Sequence, residues 1–400
     1  MKKNYQTARV LLALIGFYLC LSVANIPAQG LPVAAPQTVG MNAAKLAQID
    51  ALVTSDIAAK KLPGAVVLVG HKGKIVFRKA YGNRSLVPTV EKMTVDTIFD
   101  VASLTKPIAT ATSIMILVEQ GKLRLNDNIG KFIPDIDDEN AKRVTIQQLL
   151  THTSGYAPDF DLREKWTGRD GMLAALKKEK LKTPPGTKFV YSDIGFIVLG
   201  EIAVRSGAYP PGFSTPNITY VEPDIGRYSY EVIFSPLHLK DTSFLQRRKQ
   251  EGFSGRIAPT ENIRGQNSYL GAKFDGDERI GNEILRGRVH DPTSFRMDGV
   301  AGHAGLFSTA DDLALYCQMM LNGGTLDGKR VMSAQTVAKM TAPIVVSEDG
   351  ATRGLGWDIN TSFSSNRGEL FPLGSFGHTG FTGTSVWIDR VSQTFVVFLS

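Results

Sequence analysis

The sequence predicts an α/β protein of the α+β kind: an antiparallel sheet flanked by helices, with a mostly helical lobe inserted into it. Three observations point there. Strand-like patterning at 65–70 and 74–81, joined by the turn His71-Lys72-Gly73, marks a hairpin near the start, and 385–389 with 394–399 marks another at the end. Residues 102–120 carry a helical pattern that is apolar on most sides, which is the mark of a helix buried in a core. The stretch between, about 125–289, reads as short helices and loops. A chain of 400 residues, 43% apolar and 21% charged, is long enough to bury such a core in one or two domains.

The N-terminus comes first. Lys2, Lys3 and Arg9 precede an apolar run at 10–23, broken only by Gly16 and Ser22, and small residues follow to Ala28. This is the layout of a signal peptide, with an uncleaved N-terminal membrane anchor as the alternative, so 1–28 is set apart from a domain at 29–400. Cys20 is not read as a lipidation site, because Phe17-Tyr18-Leu19 before it is too bulky. Cleavage near Ala28 removes three cations and no acid, so the net charge falls from +7 to +4. That mild surplus suits a periplasmic or secreted protein among anionic polymers. No dense Lys/Arg stripe with aromatics is present, so nucleic acid is not expected as a partner.

A Pro- and Ala-rich tether at 29–37 leads to a helix at 42–60, with apolar spacing at Leu46, Ile49, Leu52, Val53 and Ile57. Pro63-Gly64 opens the first hairpin, and 98–101 is a short extended run into Ser103. The helix at 102–120 tolerates Pro107 in its first turn and stops at Gly121. Thr145 caps a short helix to Leu150, Pro184-Pro185-Gly186 forms a turn, and 195–205 is helical. The four prolines of 208–224 indicate an irregular loop, and the sequon at Asn217 carries no weight beside a bacterial-looking leader. Thr309 caps a helix to Leu321, Ser333 caps another to Met340, and 354–359 is extended. Cys317, the only cysteine after the leader, falls in an apolar helical pattern and is expected to be structural. The last strand runs to the end of the chain. A buried terminal strand is normally covered by a later element, so a further C-terminal segment is expected beyond Ser400.

Three short segments carry the chemistry. Ser103-Leu104-Thr105-Lys106 puts a nucleophile and an amine on one helical face. A serine needs a base, and burial lowers an ammonium pKa. Lys106 can therefore act as that base, or remain charged and hold a phenolate at Tyr191. Ser103 would sit at a helix N-terminus, whose field favours an oxyanion. Tyr191-Ser192-Asp193 supplies the phenol, and His378-Thr379-Gly380 supplies a cation and a glycine-bearing strand edge. Each alone is weak: S-x-x-K arises near chance, Tyr191-Ser192-Asp193 alone reads as a surface turn, and a His before a Gly-rich bend is usually structural. Their order makes the combination specific. No G-x-S-x-G, H-E-x-x-H or phosphate-binding glycine loop competes. His290, Asp291 and His303 are near one another in sequence but lack further clustered ligands, so neither a metal nor a cofactor is expected. His152 is expected to be a hydrogen-bonded structural group.

These residues resemble the serine β-lactamase and penicillin-binding protein superfamily, in particular its class C-like esterase and D-alanyl-D-alanine carboxypeptidase branch. The matching stretches are FDVASLTK (99–106), LLTHTSGY (149–156), Tyr191-Ser192-Asp193, GVAGHAGLFST (299–309) and GHTGFTGT (377–384), spanning the chain from about residue 40 to its end. The resemblance implies a β-lactamase/transpeptidase-like fold and an acyl-enzyme on Ser103, with Lys106 and Tyr191 sharing the proton work. It implies an oxyanion hole from the N–H groups of Ser103 and Phe381. His378 takes the usual lysine position, next to Thr379 and Gly380, to bind a substrate carboxylate or polarise Tyr191. Asp193 takes the usual asparagine position. An aspartate cannot donate an amide N–H to substrate and can instead hold Lys106 charged, while a histidine grips a carboxylate only when protonated. Both departures argue against an efficient β-lactamase. The implied substrate is a small molecule or a peptidoglycan-derived D-alanyl-D-alanine peptide, with a small carboxyl ester as the close alternative. A non-catalytic envelope binding protein on the same fold is the alternative of another class.

Overall fold

The computed structural model describes residues 30–207, 223–244, 254–264, 268–270 and 284–400. The leader and Cys20, the sequon and most of the loop at 208–224 lie outside these residues. Among the described residues no helix is long and apolar enough to cross a membrane.

Nine strands form one antiparallel sheet: β1 (Gly64–His71), β2 (Lys74–Ser85), β3 (Glu91–Lys92), β4 (Ile344–Val345), β5 (Thr352–Arg353), β6 (Asp358–Asn360), β7 (Phe376–Gly380), β8 (Thr384–Asp389) and β9 (Thr394–Leu399). Their order across the sheet is β4-β5-β6-β7-β8-β9-β1-β2-β3, so the last strand pairs with the first and the two predicted hairpins lie side by side. Every residue of β1 is buried, because both faces of the sheet are covered. Its alternation sends Val66 and Leu68 into the main core and Ala65, Val67 and Val69 towards helix α1 (Gln48–Ala58), where Val53, Ile49 and Ile57 meet them. The expected helix at 42–60 is two pieces, Ala43–Leu46 and α1.

The chain leaves the sheet after β3 and returns at β4, so its excursion is longer than the helical stretch read at 125–289. The excursion carries the elements that build the core. The helical run α2 (102–119) is an opening turn, a wide π-helical segment (Lys106–Ala111) and an α-helix (Thr112–Glu119), and it ends at Gly121 with φ of 70°. From Lys106 to Leu117 every residue of α2 is buried. One flank of α2 meets the lobe helix α3 (Asp193–Ser206). Helix α4 (Ala310–Leu321) packs across β9 and β1 and buries Cys317, as its apolar spacing predicts. The extended run expected at 354–359 is mostly a turn between β5 and β6, with Gly356 at φ of 86°.

Candidate active site

Ser103 begins where a short ribbon strand, Phe99–Asp100, turns into α2. The turn is tight: Ala102 holds φ of 46°, a left-handed conformation costly for a residue with a Cβ. Asp100, buried beneath it, holds the turn by accepting from the Ala102 N–H at 2.9 Å and the His290 N–H at 2.7 Å. Ser103 itself is half-buried, and Lys106, one turn on, is fully buried. Its ammonium donates to Ser103 Oγ at 2.9 Å and to the His303 carbonyl at 3.1 Å, and it pairs with Asp193 Oδ1 at 2.7 Å. It lies 4.9 Å from the centre of the Tyr191 ring. Burial alone would push the Lys106 pKa down, but Asp193 and Tyr191 outweigh it and raise it above the ordinary lysine value. Of the two protonation states open to Lys106 from sequence, the structure favours the charged one.

Tyr191 and Asp193 arrive together because Ser192 caps α3. The Ser192 hydroxyl accepts from the Gly195 N–H at 3.2 Å and donates to the Ala157 carbonyl at 2.6 Å. His152 supports the same segment. Its Nδ1 accepts the Ser192 N–H at 3.0 Å, and its ring stacks on Tyr191 with centres 4.4 Å apart. His152 is thus a hydrogen-bonded structural group, as expected, but one that orients the candidate phenol. Asp193 is turned towards Lys106 and does not line the pocket described next.

The opposite wall is the end of β7. Gly380 approaches so closely that a Cβ there would lie 2.5 Å from the Val101 carbonyl oxygen, and only glycine fits. Thr382 and Thr384 tie the same strand end down by donating to the Asp100 and Val101 carbonyls at 2.7 and 3.1 Å. Phe381, whose N–H is an implied oxyanion donor, is thereby held beside the segment that carries Ser103. A pocket of about 190 Å³ lies between the walls, lined by Ser103, Tyr191, Arg353, Asp358, Phe363 and the strand segment His378 to Phe381.

Two charge assignments on this wall differ from the sequence reading. His378 is not a cation. It is buried, its Nδ1 lies 2.7 Å from the Thr379 carbonyl, and burial followed by repulsion from Arg353 and Lys106 drives its pKa well below the ordinary value. The cation of the wall is Arg353 on β5, which sequence reading missed. Arg353 is fully buried, and among the described residues none of its guanidinium nitrogens makes a hydrogen bond. Its nearest anion, Asp358, lies 3.6 Å away and accepts instead from the Thr361 and Ser364 hydroxyls. No motif surrounds Arg353. The available signal was an arginine inside an otherwise apolar or small stretch, Gly350 to Trp357.

Behind Lys106 lies a second cluster. His303 Nε2 is 2.7 Å from Asp291 Oδ1, and the donor atoms of Asp193, Asp291 and His303 lie within 4.8 Å of one another. Such donors can hold a metal, but here Lys106 and His303 already set two cationic groups against the two carboxylates.

The geometry brings a serine, a lysine and a tyrosine together at one pocket. A family model described as Beta-lactamase matches residues 49–400. The chain belongs to the beta-lactamase family, a family of serine hydrolases. A relative from Salmonella typhimurium, named "Putative D-alanyl-D-alanine carboxypeptidase", is 33% identical over 92% of this chain and 85% of its own length. Among solved structures, a class C beta-lactamase from Rhodobacter sphaeroides aligns with a TM-score of 0.62 and 20% identity, over 87% of this chain and 92% of its own. EstCE1, a hydrolase with promiscuous acyltransferase activity, aligns with a TM-score of 0.66 and 19% identity, over 89% and 93%. At these identities the two structures speak for the fold.

Proposed function

We propose that this protein is a serine carboxypeptidase that removes the terminal residue from D-alanyl-D-alanine peptides through an acyl-enzyme on Ser103. The observation that carries the reading is the pairing, in one pocket, of a serine hydroxyl held by a lysine at 2.9 Å and a buried guanidinium without a hydrogen bond. A terminal carboxylate is the ligand chemistry that matches such a guanidinium, and it would set the scissile carbonyl towards Ser103. The name of the Salmonella relative supports the same substrate class.

In this mechanism a phenolate at Tyr191, the form the reading requires beside the Lys106 ammonium, takes the Ser103 proton as the Ser103 oxygen attacks the carbonyl carbon. Negative charge develops on the carbonyl oxygen between the Ser103 and Phe381 N–H groups. The C–N bond breaks, the amine takes the proton from Tyr191, and D-alanine leaves. Water, giving its proton to the same base, releases the acyl group. His378, being neutral, lines the pocket without gripping the carboxylate.

A small-ester hydrolase is the second reading, favoured by Asp193, which cannot donate to a peptide carbonyl, and by the exposed Phe363 and Phe381 at the mouth. D-Alanine release from a D-alanyl-D-alanine peptide decides between them. Release that depends on Ser103 supports the carboxypeptidase; ester turnover without it supports the esterase. No turnover, and no acyl adduct on Ser103 by mass spectrometry, supports a binding protein. An envelope location follows from the substrate and the leader, and cell fractionation tests it.

A further inference from the structure

The segment 299–309 matches the family yet has no role in the chemistry above. It reaches the site because Gly302 packs on α3: a Cβ there would lie 2.0 Å from the Phe196 carbonyl oxygen. The Thr110 hydroxyl donates to the Gly302 carbonyl at 2.7 Å, and the Leu306 N–H donates to the Thr105 hydroxyl at 3.1 Å. The residue after Gly302, His303, is fully buried, and its carbonyl accepts from the Lys106 ammonium at 3.1 Å.

We propose that His303 is a positioning residue that neutralises Asp291 and so keeps that second carboxylate from tightening the hold of Lys106 and Tyr191 on their shared proton. The inference rests on the acyl-enzyme reading. The groups facing His303 alternate in sign. Asp291, the cap of the helix Pro292–Arg296, lies at 2.7 Å, with Asp193 on α3 and Lys106 on α2 beyond it. Asp159 in the lobe and Asp100 under the Ser103 turn complete the surroundings. Asp100 is buried and Asp159 half-buried, and desolvation pushes both up to about 6. Burial opposes charge on Asp291 and His303, but their pairing overrides it, lowering Asp291 to about 2 and raising His303. Among the described residues the other ring nitrogen of His303 has no hydrogen-bond partner, so Asp291 is the main support of its charge, with a smaller contribution from Asp193.

The consequence is a charge cycle that a merely structural role would not reproduce. In His303→Gln, Asp291 stands unbalanced and adds one negative charge near Lys106 and Tyr191, which hold their protons more tightly. In Asp291→Asn, His303 becomes neutral and the net charge is unchanged, as it is in the double variant. The test is kcat/KM for p-nitrophenyl acetate from about pH 5 to 9 in the full chain. His303→Gln should raise the midpoint of the acidic limb by about one pH unit, a tenfold loss below it. Asp291→Asn and the double variant should stay near the parent midpoint. An unmoved midpoint in folded His303→Gln, or an equal shift in the double variant, overturns the inference. A readout independent of activity is the 15N shift of the His303 ring at neutral pH. It should report an imidazolium in the parent and a neutral ring in Asp291→Asn; a neutral ring in the parent overturns the inference. A parent that hydrolyses no ester at any pH counts against the acyl-enzyme reading, while the ring shift still decides the ion pair.

Discussion

The two walls of the pocket treat charge in opposite ways. On the helical wall every charged group has a partner: Lys106 faces Asp193 at 2.7 Å and His303 faces Asp291 at 2.7 Å. On the sheet wall the guanidinium of Arg353 is buried without a hydrogen bond and faces Asp358 only at 3.6 Å, and His378 beside it is neutral. Two buried imidazoles, His303 and His378, are therefore shifted in opposite directions at similar burial, because one faces carboxylates and the other faces cations. Burial alone does not decide the charge of a group; the sign of its neighbours does. The helical wall pairs its charges at hydrogen-bonding distance. The sheet wall holds a guanidinium whose nearest carboxylate is 3.6 Å away.

The largest effect that would sharpen this contrast is Ser103→Ala, expected to lower hydrolysis by at least about a thousandfold and to remove the acyl adduct seen by mass spectrometry. Activity retained in that variant would discard the helical wall as the catalytic one. Lys106→Ala should cost about a hundred- to ten-thousandfold, because it removes the Ser103 contact and leaves Asp193 unpaired. Arg353→Gln is expected to act on the sheet wall alone, lowering kcat/KM about ten- to a hundredfold for a peptide with a free terminal carboxylate. It should leave p-nitrophenyl acetate hydrolysis within about threefold; an equal loss on both substrates would break the division between the walls. The smallest effect is on stability. His378 is lowered in the fold, so above the unfolded value near 6.5 both states are neutral there, and below it the unfolded chain takes up the proton first. The parent should lose stability relative to His378→Asn by up to about 1.4 kcal/mol for each pH unit below 6.5, measured by urea unfolding. The opposite slope would mean that His378 is charged in the fold.

Much of the fold was legible because its signals are local. The hairpins β1–β2 and β8–β9 alternate visibly, Thr145, Thr309 and Ser333 all cap the helices read from them, and Gly121 ends α2. The break in the helix at 42–60 and the turn inside 354–359 were not legible, since both depend on how the segment packs rather than on its own pattern. In the site, the motifs located Ser103, Lys106, Tyr191 and the His378 strand, which the structure brings together around one pocket. Arg353 and the stacking of His152 on Tyr191 were missed, because each takes its meaning from a partner far away in the chain; Asp291 and His303 were read as near one another in sequence but not as an ion pair behind Lys106.

By itself the sequence determined that a serine and a lysine share one face at the head of an apolar helix, because three residues of helix are a local geometry. It also determined the first and the last hairpin, because alternation is read within a few residues. Only the tertiary structure decided which groups are charged. Lys106 keeps its proton because of Asp193, His378 is driven to lose its own by burial beside Arg353, and Asp291 pushes His303 the other way. Electrostatic free energy depends on distance in space and on the water excluded, and neither is a property of position along the chain.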